Sequence, residues 1–132
     1  YSDQIYNYER TTGSVYNETT RDKSWTGKIA LAYSSDYGYA ADLNLCQKTL
    51  YDYDDSTCAS NNWMFSMYLW LLTPASTYSN GVWSIFNYGY VDVSSGTAWA
   101  EYGVKPTLFL NSELEIKEGD GSSTSPYQIK VS

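Results

Sequence analysis

Three carboxylates crowd one short stretch of the chain, YDYDD at 51–55. Two carboxyl groups held about 5–9 Å apart serve as acid and base in glycoside hydrolysis, so two of Asp52, Asp54 and Asp55 would suffice at that spacing. The chain contains no histidine, which removes the commonest general base. Like charges in one loop are more typical of a solvated surface. We therefore predict that the protein is not an enzyme, with a carbohydrate-active enzyme as the less favoured interpretation.

Aspartate oxygens in loops also suit a hard cation such as calcium. They occur in YDYDD and again in EGDGSS at 118–123, but neither segment has the ligand spacing of a full calcium-binding loop. Glycine accepts the positive φ angles of tight turns, so Gly119-Asp120-Gly121 is predicted to be a hairpin turn. Without histidine, two cysteines would fill only half of a tetrahedral zinc shell. We predict no metal site and no cofactor.

The charge balance excludes one class of partner. Eight basic and fifteen acidic residues give the 132-residue chain a net charge of −7, which would repel nucleic acid. Only 17% of residues are charged, so solubility depends partly on uncharged polar side chains and on fifteen tyrosines. Such a surface is common in secreted proteins and in binding faces. The chain has neither an apolar run long enough to span a membrane nor a signal peptide, and we predict a mature extracellular domain without membrane insertion.

The two cysteines, Cys46 and Cys58, allow a single pairing. A disulfide across so short a loop stabilises a fold by about 3 kcal/mol in the chain-entropy account. The alternative is two buried free thiols. We predict the disulfide, because the rest of the composition is that of an extracellular protein.

The stretch GVWSIFNYGYVDV at 81–93 has the alternating pattern of a β-hairpin, with its turn near Asn87, Tyr88 and Gly89. One face is apolar and is assigned to the core: Trp83, Ile85, Val91 and Val93. The other face carries aromatic side chains where a solvated sheet normally has polar ones, which indicates a contact surface. The predicted ligand-binding residues are Tyr78, Asn80, Phe86, Tyr88, Tyr90, Trp99 and Tyr102. The alternative is that residues 1–24 fold over this face and bury it.

Strands dominate the remaining pattern. Residues 1–24 are polar and are predicted to form an extended lead-in, followed by a single domain over 25–132. The segment 42–53 predicts one short helix with Asp42 as its N-cap. The predicted strands are 25–33, 63–74, the two arms of 81–93, 103–112 and two short strands within 114–131. The predicted core comprises Trp63, Trp70, Leu72, Trp83, Ile85, Val104, Leu108 and Leu110.

Several motifs occur together and in order: WTGKIALAYSSDYGYA at 25–40, NNW at 61–63, WLLTP at 70–74, GVKPTLFL at 103–110 and GDGSSTSPY at 119–127. This set resembles the C-terminal domain of surface and prepilin-like proteins of Gram-positive bacteria, over residues 25–130. The last block is also similar to the final core strand of C-type-lectin-like folds, which include formylglycine-generating-enzyme-like domains and the variable proteins of diversity-generating retroelements. Lys105 stands where that family more often has arginine, so a bidentate role is not carried over.

The resemblance implies an α+β, C-type-lectin-like fold with mostly antiparallel strands, one or two short helices and long loops. It also implies an extracellular recognition or adhesion module, on a cell surface or surface appendage, that binds a protein or glycan ligand. In the retroelement-diversified relatives, ligand-binding positions lie in this part of the fold. The alternative is a structural minor-pilin or filament subunit that packs against copies of itself.

Overall fold

The computed structural model describes residues 2–10, 26–54, 56–75, 81–94, 101–108, 110, 113–122 and 124–130. They form a small α+β protein with antiparallel sheets and short helices, as predicted at this level of detail. The helices are α1 (Ser2–Arg10), α2 (Ser34–Tyr39) and α3 (Ser56–Ser60), with a 3-10 turn at Leu50–Asp52. The strands are β1 (Ala30–Leu31), β2 (Leu69–Pro74), β3 (Val82–Ile85), β4 (Val91–Ser94), β5 (Pro106–Thr107), β6 (Ile116–Glu118) and β7 (Gln128–Ile129).

The central sheet has the order β2-β3-β4 and is antiparallel throughout. Leu69 pairs with Ile85, which pairs with Val91, and all three side chains are buried. Directly paired residues point to the same side of a sheet, so this row defines the face that covers the core. The apolar run 63–74 therefore does contain a strand that ends at Pro74, although it begins only at Leu69.

The hairpin predicted from 81–93 is confirmed. Phe86 N donates to Tyr90 O at 2.9 Å, and Gly89 N donates to Phe86 O at 2.9 Å. Gly89 has a φ of 95°, and a Cβ there would lie 2.7 Å from Ala59 Cβ, so only glycine fits this turn. The Tyr37 hydroxyl donates to Gly89 O at 2.8 Å and ties the turn to helix α2.

The core lies between the central sheet, helix α2 and the loop that the disulfide closes. Its largest fully buried side chains are Tyr37 and Tyr53, whose hydroxyls donate to main-chain carbonyls. Burial of these rings is tolerated because each polar end has a partner. The buried cluster comprises Ala32, Tyr37, Ala40, Ala41, Cys46, Leu50, Tyr53, Cys58, Met64, Leu69, Leu71, Ile85 and Val91.

Most of the predicted core was wrong. Ile85 is buried and Trp83 packs against the core, whereas Trp70 is half-buried on the opposite face of the sheet. Five other predicted core residues are exposed: Trp63, Leu72, Val104, Leu108 and Leu110. Within the described part of the predicted strand 103–112, regular strand is limited to β5, which pairs with the two-residue β1. An apolar alternating segment is buried on both faces only when other elements cover it, and this one lies at an edge.

The segment 42–53 does not form the predicted helix. Asp42 O accepts from Cys46 N at 2.8 Å, and Asp42 Oδ1 accepts from Asn44 N at 2.9 Å, so the chain makes a single turn here. The Cys46–Cys58 disulfide is confirmed, with the two Cα atoms 4.9 Å apart. The regular helix just before this segment is α2, which consists of SSDYGY at 34–39 and follows the short strand β1 after two residues.

Residues 2–10 form helix α1 and are not extended, contrary to the prediction. The helix is held by one buried carboxylate, because the Glu9 side chain is only 2% exposed and pairs with Arg10 Nη1 at 3.2 Å. Ser35 N, Ser35 Oγ and Thr73 Oγ1 all donate to Glu9. Arg10 Nη2 contacts Asp36 Oδ1 at 3.0 Å. We call these five residues the Glu9 clamp, which fixes α1 against α2 and β2.

The C-terminal hairpin has the predicted two strands and turn. Ile116 of β6 pairs with Ile129 of β7. Gly119 and Gly121 have φ angles of 100° and 84°, as the Gly-Asp-Gly turn requires. The Ser122 N–H donates to Asp120 Oδ1 at 2.9 Å, and this hydrogen bond lowers the pKa of Asp120. Asp120 therefore stabilises the turn.

Alkaline pH is expected to destabilise the protein through Tyr37. Burial raises the pKa of the Tyr37 hydroxyl well above its ordinary value of 10.0, and the nearby Tyr53 adds to the shift. The folded protein therefore keeps a proton that the unfolded chain releases, so stability is full below about pH 10 and falls by up to about 1.4 kcal/mol per pH unit above it.

Urea denaturation between about pH 9 and pH 11 measures this slope. Tyr37→Phe removes the ionisable group and should flatten the pH dependence, despite a lower stability at neutral pH from the lost hydrogen bond. Tyr39→Phe, at an exposed ring, should keep the slope of the unsubstituted protein. Equal slopes in all three proteins would contradict the assignment to Tyr37.

Candidate functional site

The outer face of the central sheet is the candidate functional site. Trp70 pairs with Ser84, which pairs with Asp92, so these three side chains lie on the face opposite the core. Phe86 and Tyr90 flank the turn at the end of the same hairpin, and each is half-buried. We call the following residues the aromatic face: Tyr51, Tyr68, Trp70, Phe86, Tyr90 and Tyr102.

At one end of the aromatic face, Tyr102 joins three other rings. Its ring centroid lies 4.6 Å from that of Trp70 and 5.2 Å from that of Tyr68. Phe86 approaches Tyr102 edge-on at 6.1 Å. Tilted and edge-to-face contacts at these distances are the arrangements that aromatic rings favour. Tyr102 therefore connects strand β2 with the hairpin.

At the other end, Phe86 and Tyr90 stack. Their ring centroids are 5.0 Å apart and their planes differ by 4°. Tyr51, carried by the 3-10 turn inside the disulfide loop, contacts Tyr90 edge-on at 6.1 Å. The chain of ring contacts thus runs without a break from Trp70 to Tyr51.

Two main-chain hydrogen bonds place Tyr102 in this row. Gly103 N donates to Tyr68 O at 2.7 Å, and Trp70 N donates to Gly103 O at 3.0 Å. The segment around Gly103 therefore runs parallel to the start of β2, where Gly103 bridges to Leu69. A Cβ on Gly103 would lie 3.1 Å from Leu69 Cδ2, so the small residue allows this close approach.

Tyr68 has a φ of 52°, in the left-handed region that non-glycine residues seldom adopt. Such a conformation costs on the order of 1–3 kcal/mol and persists only where its surroundings fix it. The Tyr68 carbonyl is held by Gly103, and its ring contacts both Tyr102 and Phe86. Backbone strain of this kind is concentrated at functional sites, and here it coincides with the aromatic face.

The surroundings of Tyr90 raise its pKa. Desolvation raises the pKa of Tyr90 above its ordinary value of 10.0, and the negative charge of Asp92 and the nearby Tyr51 add to the shift. Tyr90, like other tyrosines, is a neutral phenol at physiological pH that donates or accepts hydrogen bonds. The Asp92 carboxylate beside it favours neutral or basic groups over anions.

Three of the predicted site residues come together in the aromatic face: Phe86, Tyr90 and Tyr102. Tyr88 lies at the hairpin turn and is 66% exposed. Tyr78, Asn80 and Trp99 lie outside the described residues. Sequence reasoning missed Tyr51 and Tyr68 and placed Trp70 in the core. Trp70 lies between Leu69 and Leu71, which are buried, so the alternation along β2 turns its ring to the other face.

The described part of the N-terminal segment does not lie on this face. Helix α1 packs against α2, where Tyr6 contacts Tyr39 at a ring distance of 6.0 Å. The Arg10 guanidinium lies 4.7 Å from the Tyr33 ring centroid on the same side of the protein. Residues 2–10 therefore do not form the cover over the aromatic residues that the alternative interpretation required.

Of the three carboxylates of YDYDD, the structure describes two. Asp52 and Asp54 are exposed, and Asp52 Oδ2 accepts from Thr49 Oγ1 at 2.5 Å. Asp55 lies outside the described residues. Over the ranges that the structure describes, three or more metal-ligating side chains do not gather anywhere. Lys105 Nζ donates to Met64 O at 2.9 Å, which is a structural contact.

Comparison with known proteins adds no relative. No protein family, curated protein or solved structure matches this chain. Among the described helices, none has the length and apolar character needed to span a membrane. The function must therefore be inferred from the geometry and chemistry of the site.

Proposed function

We propose that this protein is a non-catalytic extracellular recognition or adhesion module that binds a protein or glycan ligand through the aromatic face. We further propose a C-type-lectin-like domain of a bacterial surface protein, displayed on a cell surface or surface appendage, as the sequence resemblance implies. One observation supports the proposal above all. Six aromatic rings from four separate chain segments form a continuous and partly exposed surface.

The composition of this surface suits recognition. Aromatic rings supply apolar area for affinity, while the tyrosine hydroxyls at their edges supply hydrogen bonds for orientation. Folding alone does not account for the exposure, since Tyr51 is 64% and Tyr68 is 39% exposed to solvent. Large exposed aromatic side chains gathered in one patch mark contact surfaces in soluble proteins.

The negative charge of the protein restricts the class of ligand that the aromatic face can bind. The chain carries a net charge of −7, and Asp92 lies in the same cross-strand row as Trp70. Strongly anionic ligands would be repelled by this surface. The proposed ligand is therefore a neutral or basic surface of a protein or glycan, and nucleic acid is not among the proposed partners.

Tyr90→Ala is expected to weaken ligand binding by at least about tenfold, because it removes both a ring stacked on Phe86 and a hydroxyl of the aromatic face. Loss of the Phe86 stacking contact should lower the free energy of unfolding by only about 0.5–1.5 kcal/mol, in addition to the effect of the smaller buried apolar area. Protein and glycan binding arrays identify a ligand, and calorimetry then gives the dissociation constants.

Tyr127→Ala provides the matched control, since Tyr127 is 57% exposed and precedes β7 in a different sheet. It should bind as the unsubstituted protein does. Equal affinity of the Tyr90 and Tyr127 variants for the same ligand would refute the aromatic face as the binding surface.

A structural subunit of a filament is the second candidate. The observation that favours it is a set of exposed aliphatic side chains in the C-terminal part of the chain: Val104, Leu108, Leu110, Leu114, Ile116 and Ile129. Such side chains would be covered if copies of the protein packed together. Sedimentation of the same samples separates the two candidates, since a filament subunit would self-associate and a recognition module would remain monomeric.

A further inference from the structure

A second concave site lies between the end of helix α2 and the end of helix α3. It is an open cleft of about 500 Å³ with Ala40 and Ala41 on its floor. Tyr39 and Trp63 contribute aromatic walls, and Asp42 and Asn61 contribute polar groups. We call it the Tyr39–Trp63 cleft. Its volume is in the range of small-molecule binding sites, and none of its residues belongs to the aromatic face.

Trp63 is the unusual residue of this cleft. It is 80% exposed, more than any other large apolar side chain in the described residues, and Tyr39 is 45% exposed. A tryptophan that stays exposed to water buries little apolar area on folding. A contribution to stability therefore does not explain why Trp63 occupies this position. The exposed ring is available as a flat binding platform.

The backbone that carries Trp63 is rigidly held. Trp63 N donates to Ala40 O at 3.3 Å. The buried side chain of the preceding Asn62 donates to Tyr37 O at 2.8 Å and accepts from Met64 N at 2.9 Å. The indole is thus presented from a fixed main chain, unlike a side chain on a free loop.

Asp42 and Asn61 bring hydrogen-bond acceptors to the cleft. Asp42 N donates to Asn61 O at 3.0 Å and joins the two segments that carry these side chains. Asp42 Oδ1 accepts from Asn44 N, and Asn61 Nδ2 donates to Thr57 O at 2.7 Å. This leaves Asp42 Oδ2 and Asn61 Oδ1 for a ligand, and both accept hydrogen bonds. A ligand with hydrogen-bond donors, such as the hydroxyl groups of a sugar, suits these two acceptors.

The charge, size and ring arrangement of the cleft favour a sugar over other classes of ligand. Anions are disfavoured by Asp42, and the residues lining the described cleft include no lysine or arginine. A small quaternary ammonium ion needs aromatic rings that close around it. Tyr39 and Trp63 make no ring contact with each other and border a cleft much larger than such an ion. A sugar ring presents C–H groups to an aromatic face and hydroxyls to acceptors at its edge.

We propose that the Tyr39–Trp63 cleft is a binding site for a neutral saccharide. A sugar ring stacks on the Trp63 indole, and its hydroxyls donate to Asp42 and Asn61. This site is separate from the aromatic face, and it does not depend on the function proposed for that face.

The test titrates the whole protein with a panel of neutral disaccharides, such as cellobiose, lactose and N,N′-diacetylchitobiose, up to about 10 mM, which covers dissociation constants in the millimolar range. Tryptophan fluorescence and calorimetry follow binding. Trp63→Ala should weaken binding at least tenfold, whereas Trp63→Phe should retain part of it. Asp42→Asn, which keeps an acceptor for Asn44 N, should weaken it several-fold.

Thermal melting of each variant checks that it is folded. Because the Trp63 ring is exposed, Trp63→Ala should change the melting midpoint little. Tyr90→Ala distinguishes the two proposals, because it should leave disaccharide binding unchanged. Loss of disaccharide binding in Tyr90→Ala but not in Trp63→Ala would place the sugar on the aromatic face and overturn the cleft site. No binding by any disaccharide of the panel would overturn it as well.

Discussion

Leu50→Ala is expected to lower the free energy of unfolding by about 2–5 kcal/mol, because the substitution leaves a cavity among fully packed neighbours. Leu50 is 1% exposed and lies in the 3-10 turn enclosed by the disulfide. It packs closely against α2, where a Cβ built on Gly38 would lie 2.9 Å from Leu50 Cδ2. The site has little freedom to collapse, and urea denaturation measures the loss.

Leu108→Ala is the matched control, since it makes the same chemical change at a side chain that is 56% exposed. It should cost less than about 1 kcal/mol. A larger cost for Leu108 than for Leu50 would show that the core lies under β5 and its continuation, as the apolar pattern of 103–112 had predicted.

Arg10→Ala is expected to cost about 3–5 kcal/mol, because it leaves the buried Glu9 carboxylate without its cationic partner. Arg10 also contacts Asp36 and lies 4.1 Å from the Tyr6 ring centroid, so its removal frees several groups at once. Water reaches part of the Arg10 side chain, which is 28% exposed, and this places the expected loss toward the lower end of the range.

Two variants accompany this measurement. Arg10→Lys retains the charge but not the planar fork of donors, so it should recover only part of the loss. Lys130→Ala breaks the exposed ion pair with Glu115 and should cost less than about 1 kcal/mol. If Arg10→Ala cost no more than Lys130→Ala, the Glu9 clamp would not be what holds helix α1.

The hairpin at 81–93 and the disulfide were predictable because their determinants are local. Alternation and a glycine at the turn specify a hairpin, and two cysteines allow only one pair. Helix α1 was not predictable, because its residues are polar and its stability comes from contacts with Ser35 and Thr73 far along the chain. Helix α2 depends on Asp36, whose Oδ2 accepts from Tyr33 N at 2.9 Å where the pattern favoured a strand.

Two of the six residues of the aromatic face followed from alternation within one hairpin, and a third, Tyr102, was predicted from a neighbouring segment. Phe86 and Tyr90 were found because they share a strand face. Tyr51 and Tyr68 reach the same surface only through the disulfide loop and through a residue with positive φ. Trp63 was misplaced because hydrophobicity alone does not distinguish a core tryptophan from an exposed one, and the turn around Asn62 decides the matter.

The unbroken row of ring contacts also bears on the entropy and speed of association. Immobilising a mobile side chain in an interface ordinarily costs about 0.5–1.5 kcal/mol. In this protein Trp70, Tyr102, Phe86 and Tyr90 already restrain one another, so that rotational freedom is lost when the chain folds and not when a ligand arrives. If the aromatic face is the binding surface proposed above, a partner meets rings whose arrangement is set in advance, and we expect diffusion and orientation to govern its association rate.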